Sequence, residues 1–141
     1  MNKNMPDTFL ALTFKFKSLV LKAIREAGID IVSMEIKSLH CINSVSQCTA
    51  ANMVELMDRD KGQIARLTKE MMAKGFIHKV PNPHDSRSQV IELTTLGQEI
   101  LNQMLAIEKG IIETMQNSLS SEQISQFNVV AMIMTKNLKN N

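Results

Sequence analysis

Residues 60–97 read DKGQIARLTKEMMAKGFIHKVPNPHDSRSQVIELTTLG, and the fold turns on how this stretch divides. Asp60 stands three positions before Gln63, a capping pair, and Ile64, Leu67 and Met71 follow at helical spacing. An amphipathic helix therefore starts at Asp60. Gly75 closes it, since glycine takes the left-handed conformation that ends helices without steric cost. Phe76 to Val80 and Gln89 to Leu93 are then two short β-prone runs flanking Pro81-Asn82-Pro83-His84-Asp85-Ser86-Arg87-Ser88, a hairpin with a long polar tip. At about 100° per residue, Ile64, Leu67 and Met71 share one side of the helix and face a core. The opposite side presents Gly62, Ala65, Arg66, Lys69 and Ala73, with Lys61, Gln63 and Glu70 on its flanks.

Upstream, Thr49 caps a short helix reaching about Met57, and a helix over Ile31 to Ile42 uses Val32, Ile36 and Leu39. A polar connector, Asn43 to Cys48, joins them. The turn from Met57 to Asp60 is short, so these three helices and the hairpin form a helix-turn-helix with a wing. A first helix starts near Asp7, after Pro6, and ends at Gly28, with Phe9, Leu12, Phe16, Leu19 or Val20, and Ala23 on one stripe. Downstream, a long helix opens at Thr94 and carries Leu101, Met104 or Leu105, Ile111 or Ile112, and Met115. A last one opens at Ser120 and carries Ile124, Phe127, Val130 or Ala131, Met134 and Leu138. These apolar faces exceed what a compact interior needs, which points to a homodimer. The expected fold is mainly α with a small β-hairpin. Residues 1–141 form one domain, with 1–28 and 98–141 as dimerisation helices and 29–97 as the winged lobe.

The 141 residues suit a single domain, and 44% hydrophobic with 21% charged residues is an ordinary globular mix. Apolar runs such as Val129 to Met134 are far too short to span a bilayer, and the N-terminus has no secretory pattern, so the chain reads as cytoplasmic. Net charge is only +2, yet Arg59 to Arg87 holds seven cations against three anions, leaving the remainder net negative. Such a concentration is the electrostatic footprint of a polyanion binder, or else a solvated helix face. Catalysis is not expected. Glycine-rich turns are missing, His78 and His84 lack further ligands for a metal, and adjacent His84-Asp85-Ser86 cannot form a relay. No cofactor or metal is implied.

The outward side of the Asp60 helix has the chemistry of groove binding. Small side chains let its backbone sink into a major groove about 12 Å wide, where Arg66 can fork onto guanine or phosphate and Lys69 can neutralise phosphate. Gly62, in the first turn, costs the helix up to about 1 kcal/mol relative to alanine. It is either tolerated on an exposed face or kept for close approach.

At this point the chain resembles the MarR family of winged helix-turn-helix transcriptional regulators. The segment carrying the resemblance is DKGQIARLTKEMMAKGFI, then Asp85-x-Arg87, then Leu93-Thr94 and Gly97 at ungapped spacing. The resemblance implies a two-fold dimer built from terminal helices, each wing entering a minor groove. Arg87 is then the minor-groove residue and Asp85 the group holding its guanidinium; without it, the two would be an exposed pair of little worth. The implied interface comprises Lys61, Gly62, Gln63, Ala65, Arg66, Lys69, Lys79, Asp85 and Arg87, on a pseudo-palindromic double-stranded operator whose half-sites lie roughly 34–36 Å apart. The chain departs from the pattern at Gly62 and Ala65, where many relatives carry a hydroxyl, and at Ser86-Arg87, where many carry two arginines.

Relatives often take small compounds between dimer helices and lobe, which makes Phe14, Phe16, Lys17, Met34 and His40 candidates for an effector pocket. Cys41 and Cys48 are candidate oxidant sensors or plain buried thiols, with no neighbouring cation to activate them. The expected function is a sequence-specific DNA-binding regulator, a repressor released by a small-molecule or stress signal. The alternative is a dimeric helical ligand sensor or adaptor that has lost DNA binding.

Overall fold

The computed structural model describes residues 4–139. In chain order the elements are α1 (Met5–Glu26), α2 (Ser33–Ser44), α3 (Ala50–Met57), α4 (Lys61–Ala73), β1 (Ile77–Pro81), β2 (Gln89–Leu93), α5 (Thr95–Met115) and α6 (Ser121–Lys139). The fold is mainly helical with one antiparallel hairpin. Two compact units divide it, Met1–Glu108 and Lys109–Asn141, and the boundary falls within α5.

Helix ends follow local chemistry, with small departures from the sequence expectation. α1 is capped by Asn4, whose side chain accepts from the Asp7 N–H, so it begins earlier than a cap at Asp7 would allow. Asp7 instead occupies the first turn, where a carboxylate suits the helix dipole. Gly28, at φ 72°, closes α1 while Ile29 N donates back to Ile24 O. α2 starts at Ser33 rather than Ile31 and runs on through Asn43 and Ser44, shortening the connector. Val32 offers no capping side chain, so Glu35 turns back to accept its N–H. The Thr49, Asp60 and Ser120 caps are present as expected, and the side chains of Asn52, Gln63 and Gln123 accept the cap N–H groups in return.

The core of the first unit lies between α2, α3, α4, the hairpin and the first half of α5. Leu39, Met53, Ile64, Met71, Leu101 and Met104 are essentially inaccessible. Methionine, unbranched and polarisable, fills irregular space where three short helices converge. β1 pairs with β2 from Ile77 opposite Leu93 to Pro81 opposite Gln89, one residue later on β1 than the sequence suggested. The connector before α3 adds to this sheet: Ile91 N donates to Cys48 O at 2.7 Å and Thr49 bridges Val90. Wing and helix-turn-helix are thereby one body.

Thr94 and Gly97 explain the L-T-x-x-G spacing physically. Thr94 Oγ1 donates to Gly75 O and accepts from Gly97 N, so one hydroxyl both caps α5 and ties it to the α4–β1 turn. A Cβ on Gly97 would stand 2.0 Å from the Phe76 carbonyl oxygen. Only glycine permits this approach. α5 is buried within the chain as far as Met104, whereas Leu105, Ile112 and Met115 are exposed. α6 buries none of its residues, and Phe127, Met132 and Leu138 are more than half exposed.

Candidate nucleic-acid interface

α3 ends at Asp58, which takes the left-handed conformation (φ 52°, ψ 50°), and α4 begins three residues later. This turn fixes how α4 leaves the lobe. Ile64, Leu67 and Met71 are buried as the helical angles require, and Thr68 joins them with its hydroxyl donating to Ile64 O. Lys61, Gly62, Gln63, Ala65, Arg66 and Lys69 are all exposed. Among the described residues Lys61, Arg66 and Lys69 make no ion pair, so the face keeps its charge. Gln63 is partly committed, since its Oε1 accepts from the Asp60 N–H at 3.2 Å. A Cβ on Gly62 would meet only Asp60 Oδ1, at 3.4 Å. Internal packing therefore gives no strong reason for glycine at this position.

The wing tip is held by two short polar side chains. Asn82 accepts from the His84 N–H and donates to Ser88 Oγ, and Asp85 accepts from the Arg87 N–H at 2.9 Å. The Asp85 carboxylate thus fixes the backbone of Arg87, whereas the expected hold on the guanidinium is not among the ion pairs of the described residues. An aspartate side chain in a turn closes readily on the backbone N–H two residues on, which makes that N–H the nearer partner. Arg87 is exposed. Lys79 stands opposite buried Ile91 and is only partly exposed, a weaker cation for a groove than an open strand would give. His78 pairs across the strands with Glu92 at 3.1 Å.

Among the described residues the five effector candidates make no hydrogen bond or ion pair with one another. Phe14 is 66% exposed, Met34 accepts from Arg59 Nη2 at 3.8 Å, and His40 pairs with Glu108 at 2.8 Å, tying α2 to α5. Phe16 is partly exposed and Lys17 exposed. A cleft of about 460 Å³ lies elsewhere, walled by Ile29, Asp30, Lys74, Phe76, Glu99 and Ile100, and none of the five candidates lines it. Its walls come from two turns and the start of α5, a convergence that helical periodicity does not reveal. Cys41 and Cys48 are both buried and unpaired by disulfide. Burial raises both thiols, Cys48 to about 12, and Cys48 Sγ donates to Thr49 O at 3.7 Å. Neither is a thiolate at neutral pH. Among the described residues no cluster of ligating side chains could hold a metal ion.

Three helices in this order, an exposed cationic face on the third, and a hairpin bonded to the same lobe define a winged helix-turn-helix protein. The sequence model of the MarR family matches residues 33–89. The multiple antibiotic resistance protein MarR of Escherichia coli is 24% identical over 98 residues, covering 69% of this chain and 68% of that protein. Its counterpart from Salmonella typhimurium is 29% identical over 75 residues, about half of each chain (53% and 52%). Staphylococcus aureus MepR in its complex with DNA superposes with a TM-score of 0.79 at 18% identity, covering 97% of this chain and 99% of that one. The fold extends over nearly the whole chain.

Proposed function

We propose that this chain is a sequence-specific DNA-binding transcriptional regulator acting as a homodimer. The observation carrying this reading is the outward face of α4, where small residues and unpaired Arg66 and Lys69 lie opposite a buried Ile64–Leu67–Met71 stripe. Lys61, Gly62, Gln63 and Ala65 enter the major groove with that face, while Arg87, set by the Asp85 turn, reaches the adjacent minor groove and Lys79 lies near the backbone. Two DNA complexes, one of E. coli MarR with operator DNA and one of MepR, share the fold, which supports the assignment.

Dimerisation belongs to the exposed apolar seams. On α1, Met5, Phe9, Leu12, Phe16 and Leu19 recur at alternating spacings of four and three, the signature of a helix seeking a partner helix. On α6, Phe127, Met134 and Leu138 keep the same rhythm and are exposed. Residues 1–28 and 98–141 are assigned to dimer contacts and 29–97 to the DNA-binding lobe. Nothing in this role calls for catalysis. No helix among the described residues is long and apolar enough to cross a membrane, and a cytoplasmic location suits the role. Release by a small molecule or stress signal is the regulatory mode assigned, with the cleft beside Lys74 and Phe76 as available volume.

Gly62→Ala tests the reading by separating helix stability from DNA approach. A helical alanine should stabilise α4 by up to about 1 kcal/mol, and the only contact it creates is an ordinary one. Thermal unfolding should therefore shift upward while affinity for a selected duplex falls. An upward shift with unchanged affinity would mean that no duplex approaches this turn.

A further inference from the structure

Among the described residues one Lys or Arg of the basic segment is held in an ion pair, although its side chain stays 34% exposed. Lys74, the C-cap of α4, places Nζ 2.7 Å from Oε1 of Glu35 in the first turn of α2. Glu35 is 1% exposed. The same Oε1 accepts the Val32 N–H at 3.0 Å, and Oε2 is buried without a hydrogen-bond partner. The ammonium also stands 5.7 Å from the centre of the Phe76 ring.

A carboxylate so deeply placed is tolerable only beside a cation, and removing one partner would strand the other. Each charge occupies the helix end whose dipole favours it, an anion at the start of α2 and a cation at the end of α4. The bond to Glu35 raises the Lys74 pKa, so the ammonium stays charged through the physiological range. Apolar contacts between α2 and α4 are non-directional and permit sliding, whereas a short charged hydrogen bond fixes distance and direction. The tie sits at the far end of α4 from the Asp60 cap, so the helix is held at both ends.

We propose that Glu35 and Lys74 are a positioning pair that sets the angle at which α4 meets a duplex, and that Lys74 supports recognition without touching phosphate. The inference rests on the DNA-binding reading above. Lys74 is one of the seven cations of the basic segment, and salt dependence separates a positioning role from a phosphate contact, because each lost phosphate contact lowers the salt slope by about 0.9.

The test uses Glu35→Gln with Lys74→Met in the full-length chain. The amide oxygen can still accept the Val32 N–H, methionine replaces the lysine stem, and no charge is stranded. The expected result is a folded protein whose duplex affinity falls by about tenfold or more with the salt slope of the wild type. Hydrogen exchange should quicken across residues 61–74 and hold steady in the hairpin. Lys74→Arg, with Glu35 in place, should bind as the wild type does. A reduced slope would place Lys74 on phosphate, and unchanged affinity, or a Lys74→Arg protein as weak as the neutral pair, would equally overturn the proposal. Should the wild type bind no duplex, the DNA-binding reading fails by itself. Exchange then decides: unaltered rates in α4 refute the tie, and selective acceleration upholds it.

Discussion

Gly97→Ala should lower stability by about 3 kcal/mol, the upper part of the usual range for overpacking, and lower the Tm by roughly 10 °C for a chain of this size. The added methyl would meet backbone, at 2.0 Å from Phe76 O and 3.0 Å from its carbonyl carbon. Side chains can rotate away from such a contact, but Phe76 cannot. Its N–H donates to Met71 O at 3.0 Å and its carbonyl accepts from Thr94 N at 3.1 Å, so shifting it opens the end of α4 and the entry to α5 together. Urea unfolding followed by circular dichroism measures the loss directly. A change within about 0.5 kcal/mol, the scatter of neutral surface substitutions, would mean that α5 does not sit against the hairpin in this way.

Arg87→Ala should act on binding and leave folding alone. Its side chain is exposed, and the hydrogen bond that shapes the wing tip uses its backbone N–H, which alanine retains. Stability should therefore stay within about 0.5 kcal/mol of the parent. Affinity for a selected duplex should fall by about 1–3 kcal/mol, the cost of losing one specific groove contact. Fluorescence anisotropy on a labelled duplex reads the change. Asp85→Ala should weaken binding as well, by freeing the turn that aims Arg87. Equal affinities for Arg87→Ala and the parent would favour a dimeric sensor or adaptor without a DNA role.

Periodicity and capping made most of this architecture readable before any coordinates. The Ile64–Leu67–Met71 stripe, the Asp60–Gln63 and Ser120–Gln123 caps and the glycine stops at Gly28 and Gly75 are all local signals, and each appears where its chemistry placed it. Boundaries slipped where several residues could serve. Asn4 competes with Asp7 as a cap, and the Glu35 side chain anchors α2 where Val32 cannot. Contacts across long separations left no trace in spacing. Glu35 meets Lys74 and His40 meets Glu108 only after three helices have packed. The same holds for the cleft between the turns, and for Asp85, whose carboxylate takes the Arg87 backbone in preference to its charge.

The groove-facing surface is most directly tested by measuring affinity for a duplex selected from random sequence across a range of salt concentrations. Arg66, Lys69, Lys79 and Arg87, each neutralising one phosphate in both protomers, give a count of about 8 and a slope of log affinity against log salt of roughly −7. Partial burial of Lys79 can make the slope shallower by up to about 2 across the dimer. A slope near zero, or no duplex recovered at all, would contradict the assignment of α4 and the wing to DNA.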